Sequence, residues 1–132
     1  MRCNMEKLDK YNVAIIGSRN FNDYSFAKNE ILKITKDIVI NKIISGGAKG
    51  ADKIAETFAN EFDIPTEIIL PDWSKGRGAG MIRNTDIIKK SDYVIAFWDG
   101  QSKGTLDSIN KAKKSNKILF VIDIKTLVFK QI

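Results

Sequence analysis

The sequence predicts a doubly wound α/β domain: one Rossmann-like unit whose five-stranded, mainly parallel sheet carries helices on both faces. Three observations support this. Five short apolar runs, rich in Ile and Val, recur every 25 to 30 residues and are mostly continuous rather than alternating, the pattern of strands covered on both sides. The segments between them have helical spacing. Glycines and hydroxyl residues gather directly after the runs, where the strand-to-helix turns of such a sheet fall.

Taken in order, the first strand is expected at Val13 to Ile16 and the first helix at Tyr24 to Lys36. The second strand follows at Lys42 to Ile44, with Val39 and Ile40 just before it. The next helix, Ala51 to Phe62, has the clearest pattern: Ile54, Ala55, Phe58, Ala59 and Phe62 share one face, while Lys53, Glu56, Asn60 and Glu61 take the other. Glu67 to Leu70, Tyr93 to Trp98 and Ile118 to Ile122 supply the remaining strands, and Gly80 to Lys90 and Thr105 to Lys114 the remaining helices. Residues 1–132 are expected to form one domain with a core at about 11–123, an extension at 1–10 and a tail at 124–132. That tail admits three readings: a sixth strand, a short helix or a partner-facing segment.

Composition then limits the chemistry. A chain of 132 residues with 43% apolar and 29% charged residues has enough material for one core without a disulfide or structural metal. It has no His, and its one cysteine, Cys3, can form no internal bridge. The usual zinc, copper and iron ligand sets and His-based nucleophile arrangements are therefore excluded. Catalysis is left with carboxylates, Lys, Arg, backbone dipoles or a Mg²⁺ ion. The formal charge of +6 comes from 22 Lys and Arg against 16 Asp and Glu, and only Arg2, Arg19, Arg77 and Arg83 are arginines. No run is long enough to span a membrane and the N-terminus lacks a signal-peptide pattern, so a cytoplasmic protein without membrane partners is expected.

The turns after the strands read Gly17-Ser18-Arg19, Ser45-Gly46-Gly47-Ala48-Lys49-Gly50-Ala51-Asp52, Pro71-Asp72-Trp73 and Trp98-Asp99-Gly100-Gln101-Ser102-Lys103-Gly104-Thr105. In an open parallel sheet all of them lie on the carboxyl edge, where ligands bind at the point of strand-order reversal. Glycine permits a sharp turn and close backbone approach, and the helix that follows presents unpaired N–H groups to an anion. Gly104-Thr105 repeats the arrangement, with a hydroxyl able to cap the helix or donate to an anion. The plainer reading is a set of tight turns with helix caps. The pattern is neither a Walker A loop nor the dinucleotide fingerprint, so it specifies neither ATP nor NAD.

Gly17-Ser18-Arg19-x-Phe21-x-Asp23-Tyr24, Ser45-Gly46-Gly47-Ala48-x-Gly50-Ala51-Asp52, Asp72-Trp73 with Gly78-Ala79-Gly80 and Arg83-Asn84, and Ala96-Phe97-Trp98-Asp99-Gly100-x-Ser102-x-Gly104-Thr105 together resemble the YspA-type branch of the SLOG superfamily, over roughly residues 11–123. That superfamily also contains the DNA-processing protein DprA, the LOG phosphoribohydrolases and sensor domains of antiviral systems. The resemblance implies a Rossmann-like sheet binding a nucleotide or nucleotide-derived ligand, association with mobile elements or phage, and a homo-oligomer. Ser18 and Arg19 would contact the ligand, and Gly46, Gly47 and Gly50 would wrap its phosphate. Asp52 has two readings, a ribose or metal ligand or a carboxylate that favours the helix N-terminus. Arg83, beside Asn84 early in the third helix, suits bidentate phosphate pairing better than any Lys. Arg19 has the same logic. Trp73 and Trp98 either stack on a base or wedge the core, and for Phe21 and Tyr24 packing is favoured over a lid.

LOG-type hydrolases carry Gly-Thr-x-x-Glu. Counted from Gly104, the Glu position is Ser108 here, and Asp107 falls one residue early, about 100° around the helix. Carboxylates for catalysis would have to come from Asp52, Asp99, Asp107 or Asp72. Three functions follow: a module binding a nucleotide-derived small molecule, a nucleotide hydrolase or N-glycosidase, and a DprA-like nucleic-acid binder. The lysine cluster Lys111, Lys113, Lys114 and Lys117 lacks interleaved aromatics and reads as a solvated helix face, so a nucleotide-sized ligand is expected and nucleic acid is not expected as a partner.

Overall fold

Alternation along the central strands sorts the core into two layers. Val13 and Ile15 face one side of the sheet and Ala14 and Ile16 the other, all of them buried. The computed structural model describes residues 10–125 and 128–131, so Arg2, Cys3 and nearly all of the expected N-terminal extension lie outside the described residues.

The strands are β1 (Lys10–Gly17), β2 (Val39–Ser45), β3 (Thr66–Ile68), β4 (Tyr93–Trp98), β5 (Ile118–Asp123) and β6 (Val128–Gln131). The helices are α1 (Tyr24–Ile34), α2 (Ala51–Glu61), α3 (Ala79–Lys90) and α4 (Lys103–Lys114), with a 3₁₀ segment at Trp73–Gly78 leading into α3. The sheet order is β3-β2-β1-β4-β5-β6. The first five strands are parallel, and β6 adds antiparallel to β5, with Asp123 opposite Val128. The sixth-strand reading of the tail is the one the fold adopts.

Helices cover both faces, as the continuous apolar strands require. Ala27 and Ile31 of α1 and Ile54, Ala55, Phe58 and Ala59 of α2 pack on the Val13–Ile15 side. Ile87 and Ile88 of α3 and Ile109 and Ala112 of α4 pack on the Ala14–Ile16 side. The expected elements all occur, with ends moved by a few residues. The third strand is shorter than the apolar pattern suggests: only Thr66–Ile68 pair with β2, and Ile68 on this edge strand and Leu70 just beyond it stay exposed. The strand order reverses between β1 and β4, which pair from Val13–Tyr93 to Gly17–Phe97. The turns leaving these two strands therefore diverge and open a crevice at the carboxyl edge.

Candidate phosphate site at the strand-order reversal

The crevice is a small cavity of about 90 Å³ lined by Ile16, Gly17, Arg19, Ala48, Asp52, Arg83, Asn84, Ile87, Ser102, Gly104, Thr105 and Ser108. Each lining segment is placed by a local device. The turn after β1 is held by Ser18, whose amide donates to the Phe97 carbonyl at 3.0 Å and whose carbonyl accepts from the Ala51 amide at 3.2 Å. Gly50 lies against this turn at φ +68°, and a Cβ there would sit 2.3 Å from the Ser18 carbonyl oxygen and 2.4 Å from that of Arg19. Only glycine allows the second turn to press so closely on the first.

Arg83 reaches the second turn from α3. Its Nη1 donates to the Gly46 carbonyl at 2.7 Å and its Nε to Asn84 Oδ1 at 3.0 Å. A Cβ on Gly46 would lie 2.6 Å from Arg83 Nη1 and 2.9 Å from Asp52 Oδ2, so the bare backbone there makes room for both charged groups. Asn84 in turn donates to the Gly104 carbonyl and to Asp107 Oδ2, tying α3 to the start of α4. That helix begins at Lys103 rather than Thr105, which corrects the capping expectation. Ser102 is the N-cap and accepts from the Thr105 amide, while the Thr105 hydroxyl stands 3.1 Å from Ser102 Oγ.

The charged groups on the lining are two guanidiniums, Arg19 and Arg83, and one carboxylate, Asp52. Asp52 is 9% exposed, and burial pushes its carboxyl above the ordinary carboxylate range against the lowering effects of the Ala48 amide and the Arg83 charge. Its Oδ2 accepts from that amide at 3.1 Å. With the hydroxyls of Ser102, Thr105 and Ser108, the cavity offers cationic and neutral donors around a space suited to one tetrahedral oxyanion.

The structure brings together Gly17, Arg19, Ala48, Asp52, Arg83, Asn84, Ser102, Gly104 and Thr105. Ser18, Ser45, Gly46, Gly47, Gly50, Trp73, Asp99 and Gly100 are not on the lining. Ser18 is buried and its hydroxyl accepts from the Asp99 amide, so it braces the turn instead of facing the cavity. Ser45 is likewise buried, its hydroxyl bonded to the Asp52 carbonyl and the Gly47 amide. Gly46, Gly47 and Gly50 allow neighbouring segments to approach closely and do not wrap the cavity. The N-terminus of α2 is also less open than expected, because the Ala51 amide is taken by Ser18.

Of the candidate catalytic carboxylates, Asp52 alone lines the cavity. Asp107 accepts from Asn84 and pairs with Lys111 at 2.8 Å, as its one-residue offset implies. Asp99 turns its Oδ1 to the amides of Gln101 and Ser102, which hold its carboxyl below the usual range. Asp72 caps the 3₁₀ segment through the Ser74 amide. A Mg²⁺ ion carried in by a phosphate ligand would meet one carboxylate, Asp52; among the described residues no group of three or more metal-ligating side chains gathers. Ile16, Ile87 and Ser108 are lining residues that sequence reasoning left out. Ile87 is one helical turn beyond Arg83, and Ser108 occupies the position counted as the LOG-type Glu, so both were recoverable from helical periodicity.

The aromatics separate. Trp98 packs against the core and donates to the Ser102 carbonyl at 3.1 Å, whereas Trp73 is 64% exposed. Phe21 stacks on Phe97 in the core, and Tyr24 packs against the same cluster. Among the described residues no helix is long and apolar enough to cross a membrane.

Comparison with known proteins agrees with this architecture. The Gene 61 protein of Mycobacterium phage D29 is 31% identical over 114 residues, covering 78% of this chain and 89% of that one. Among solved structures, DNA processing protein A of Helicobacter pylori, described by its single-stranded DNA binding mode, superposes over 84% of the chain with a TM-score of 0.64 and 28% identity. DprA of Streptococcus pneumoniae matches over the same share with a TM-score of 0.69 and 19% identity, a likeness of fold. The present chain spans 64% and 50% of those two proteins. The H. pylori protein, which shares this fold and binds single-stranded DNA, overturns the expectation that nucleic acid is not a partner; a net charge surplus of six carries no information on where the charges lie. The model of the YspA, cpYpsA-related SLOG family matches residues 11–76, from β1 through the two glycine-bearing turns to the 3₁₀ segment, and the chain belongs to that family.

Proposed function

We propose that the protein binds single-stranded nucleic acid along the carboxyl edge of its sheet, with one backbone phosphate seated between Arg19 and Arg83. The observation behind this is the size and chemistry of the crevice. At about 90 Å³ it lies well under the roughly 300 Å³ at the lower end of small-molecule pockets, so it accommodates a phosphate but not the sugar and base attached to it. The rest of the ligand then lies outside the crevice, as a strand does. The likeness to the H. pylori protein supports the same reading.

The test is fluorescence anisotropy with a labelled oligonucleotide of about ten residues. Arg83→Gln is expected to weaken binding by at least about tenfold, the loss of one charge-assisted phosphate contact. Because Arg83 also bonds the Gly46 carbonyl, Arg19→Gln is the companion variant; Arg19 is exposed and its loss is expected to weaken binding without altering thermal stability. Undiminished affinity in both variants would place the strand elsewhere.

A second reading is favoured by one observation: both arginines converge on a single anion site, and no lysine is on its lining. A free nucleotide-derived small molecule suits that arrangement, with Asp52 the carboxylate available for hydrolytic chemistry. Competition by AMP or ADP-ribose as effective as unlabelled oligonucleotide, or release of base or phosphate on incubation, would favour this reading over the first.

A further inference from the structure

We propose that a second cavity, next to the phosphate crevice, is a base-recognition site selective for unpaired guanine; this rests on the phosphate reading above. The cavity measures about 470 Å³, within the range of ligand pockets, and its walls include Asn20, Phe21, Asp23, Asp99, Gln101 and Ile124. It shares two chain segments with the crevice. In the turn after β1, Arg19 lines the crevice and the next residue, Asn20, lines this cavity; in the turn after β4, Ser102 lines the crevice and Gln101 this cavity. A ligand with its phosphate at Arg19 and Ser102 therefore has the neighbouring cavity one residue away on both turns.

The chemistry of the walls selects the group that enters. The half-buried Ile124, with the exposed edge of the otherwise buried Phe21, supplies apolar surface for a flat ring. Asp23 and Asp99 are acceptor-only groups when ionised, each with more acceptor positions than its backbone bonds occupy: Asp23 Oδ1 takes the Phe26 amide, and Asp99 Oδ1 takes those of Gln101 and Ser102. The wall carries one cation, Lys125, against these two carboxylates, and carboxylates on a phosphate ligand's path are repulsive unless the ligand brings donors to them. Guanine is the base whose Watson–Crick edge places two donors side by side, N1–H and the N2 amine, and that edge is accessible only when the base is unpaired. Asn20 and Gln101 can satisfy the O6 acceptor beside them.

Anisotropy with oligothymidine strands of about ten residues carrying one central dG, dI or dA tests this, together with thermal shifts from GMP and IMP. Inosine differs from guanine by the missing N2 amine. The dG strand is expected to bind about tenfold tighter than the dI strand and at least as far above the dA strand, and GMP to shift the melting temperature more than IMP. Asp23→Asn and Asp99→Asn keep an acceptor for their backbone amides, so their turns persist, and each is expected to bring the dG-to-dI ratio toward one. Equal affinities for dG, dI and dA in a protein that binds all three would overturn the base site and leave the phosphate reading standing. Failure of every strand and both mononucleotides to bind the folded protein would overturn both.

Discussion

Asp52 is the residue at which the two readings of this site part. It is a carboxylate buried in a crevice whose other charges are guanidiniums, and burial outweighs the Ala48 amide and the Arg83 charge in setting its proton affinity. Its folded-state pKa is raised, so the folded protein holds the proton more tightly than the unfolded chain. The stabilisation linked to that proton is present below the unfolded value near 4 and is lost as pH rises through the higher folded value. At neutral pH the ionised group thus works against folding and against any anion beside it. Asp52→Asn keeps an oxygen for the Ala48 amide while removing the charge. The variant is expected to melt at the same or a higher temperature than the wild type at pH 7, with the difference shrinking toward pH 4, and to bind oligonucleotide several-fold more tightly. Weaker binding would mean that Asp52 holds a ribose hydroxyl or a metal ion, the other role its position allows. Spacing alone points to Asp52 and leaves both roles open, because proximity to a helix N-terminus is legible from spacing whereas burial against Arg83, 31 positions away, appears only on folding.

Between elements, the clamp that joins α1 to α2 fixes the first turn of the site. The Tyr24 hydroxyl donates to Glu61 Oε1, and Lys28 Nζ donates to Glu61 Oε2 at 2.6 Å, so the start of α1 is tied to the end of α2 directly after the segment carrying Arg19 and Asn20. Burial, with the Glu61 hydrogen bond and charge, pushes the Tyr24 phenol up to about 12. Its proton is held more tightly in the folded state, so the contribution is complete below about 10 and is lost as pH rises through about 12. Ultraviolet titration is expected to show a tyrosine step near pH 12, and Tyr24→Phe to remove that step and to lower stability to urea by about 1 kcal/mol. Loss of a different step, or no loss of stability, would show that the Tyr24–Glu61 contact does not tie α1 to α2. The sequence favours packing over a lid for Tyr24, in line with its core contacts, but places Glu61 only on the solvent face of its helix. Helical periodicity identifies that face and not the partner that approaches it. The third strand shows the same limit: Glu67 to Leu70 has strand-like apolarity, yet the neighbouring strand pairs with Thr66–Ile68 alone, and pairing is a property of the sheet rather than the segment.

At the level of the whole molecule, the architecture was the most legible part, because continuous Ile- and Val-rich runs separated by amphipathic helices have few packings other than a doubly wound sheet, and glycine-bearing turns after its strands must meet on one edge. Charge was the least legible, since a net value carries no positions. The 22 Lys and Arg leave a surplus of six over the acids, but the crevice holds two arginines against one aspartate. Salt dependence separates these quantities, because each phosphate neutralised on a single strand contributes about 0.7 to the slope of log K against log salt concentration. If the ligand is anchored at the crevice, with one or two further contacts beside it, the slope for an oligonucleotide of about ten residues is expected between about 1.4 and 2.1, and Arg83→Gln should lower it by about 0.7. A base held by its Watson–Crick edge also requires an unpaired strand, so a duplex of the same sequence is expected to bind at least about tenfold more weakly at equal salt. A slope above about 4, unchanged by Arg83→Gln and equal for duplex and single strand, would show instead that the surface lysines as a whole carry the binding and that the carboxyl edge is not where the strand lies.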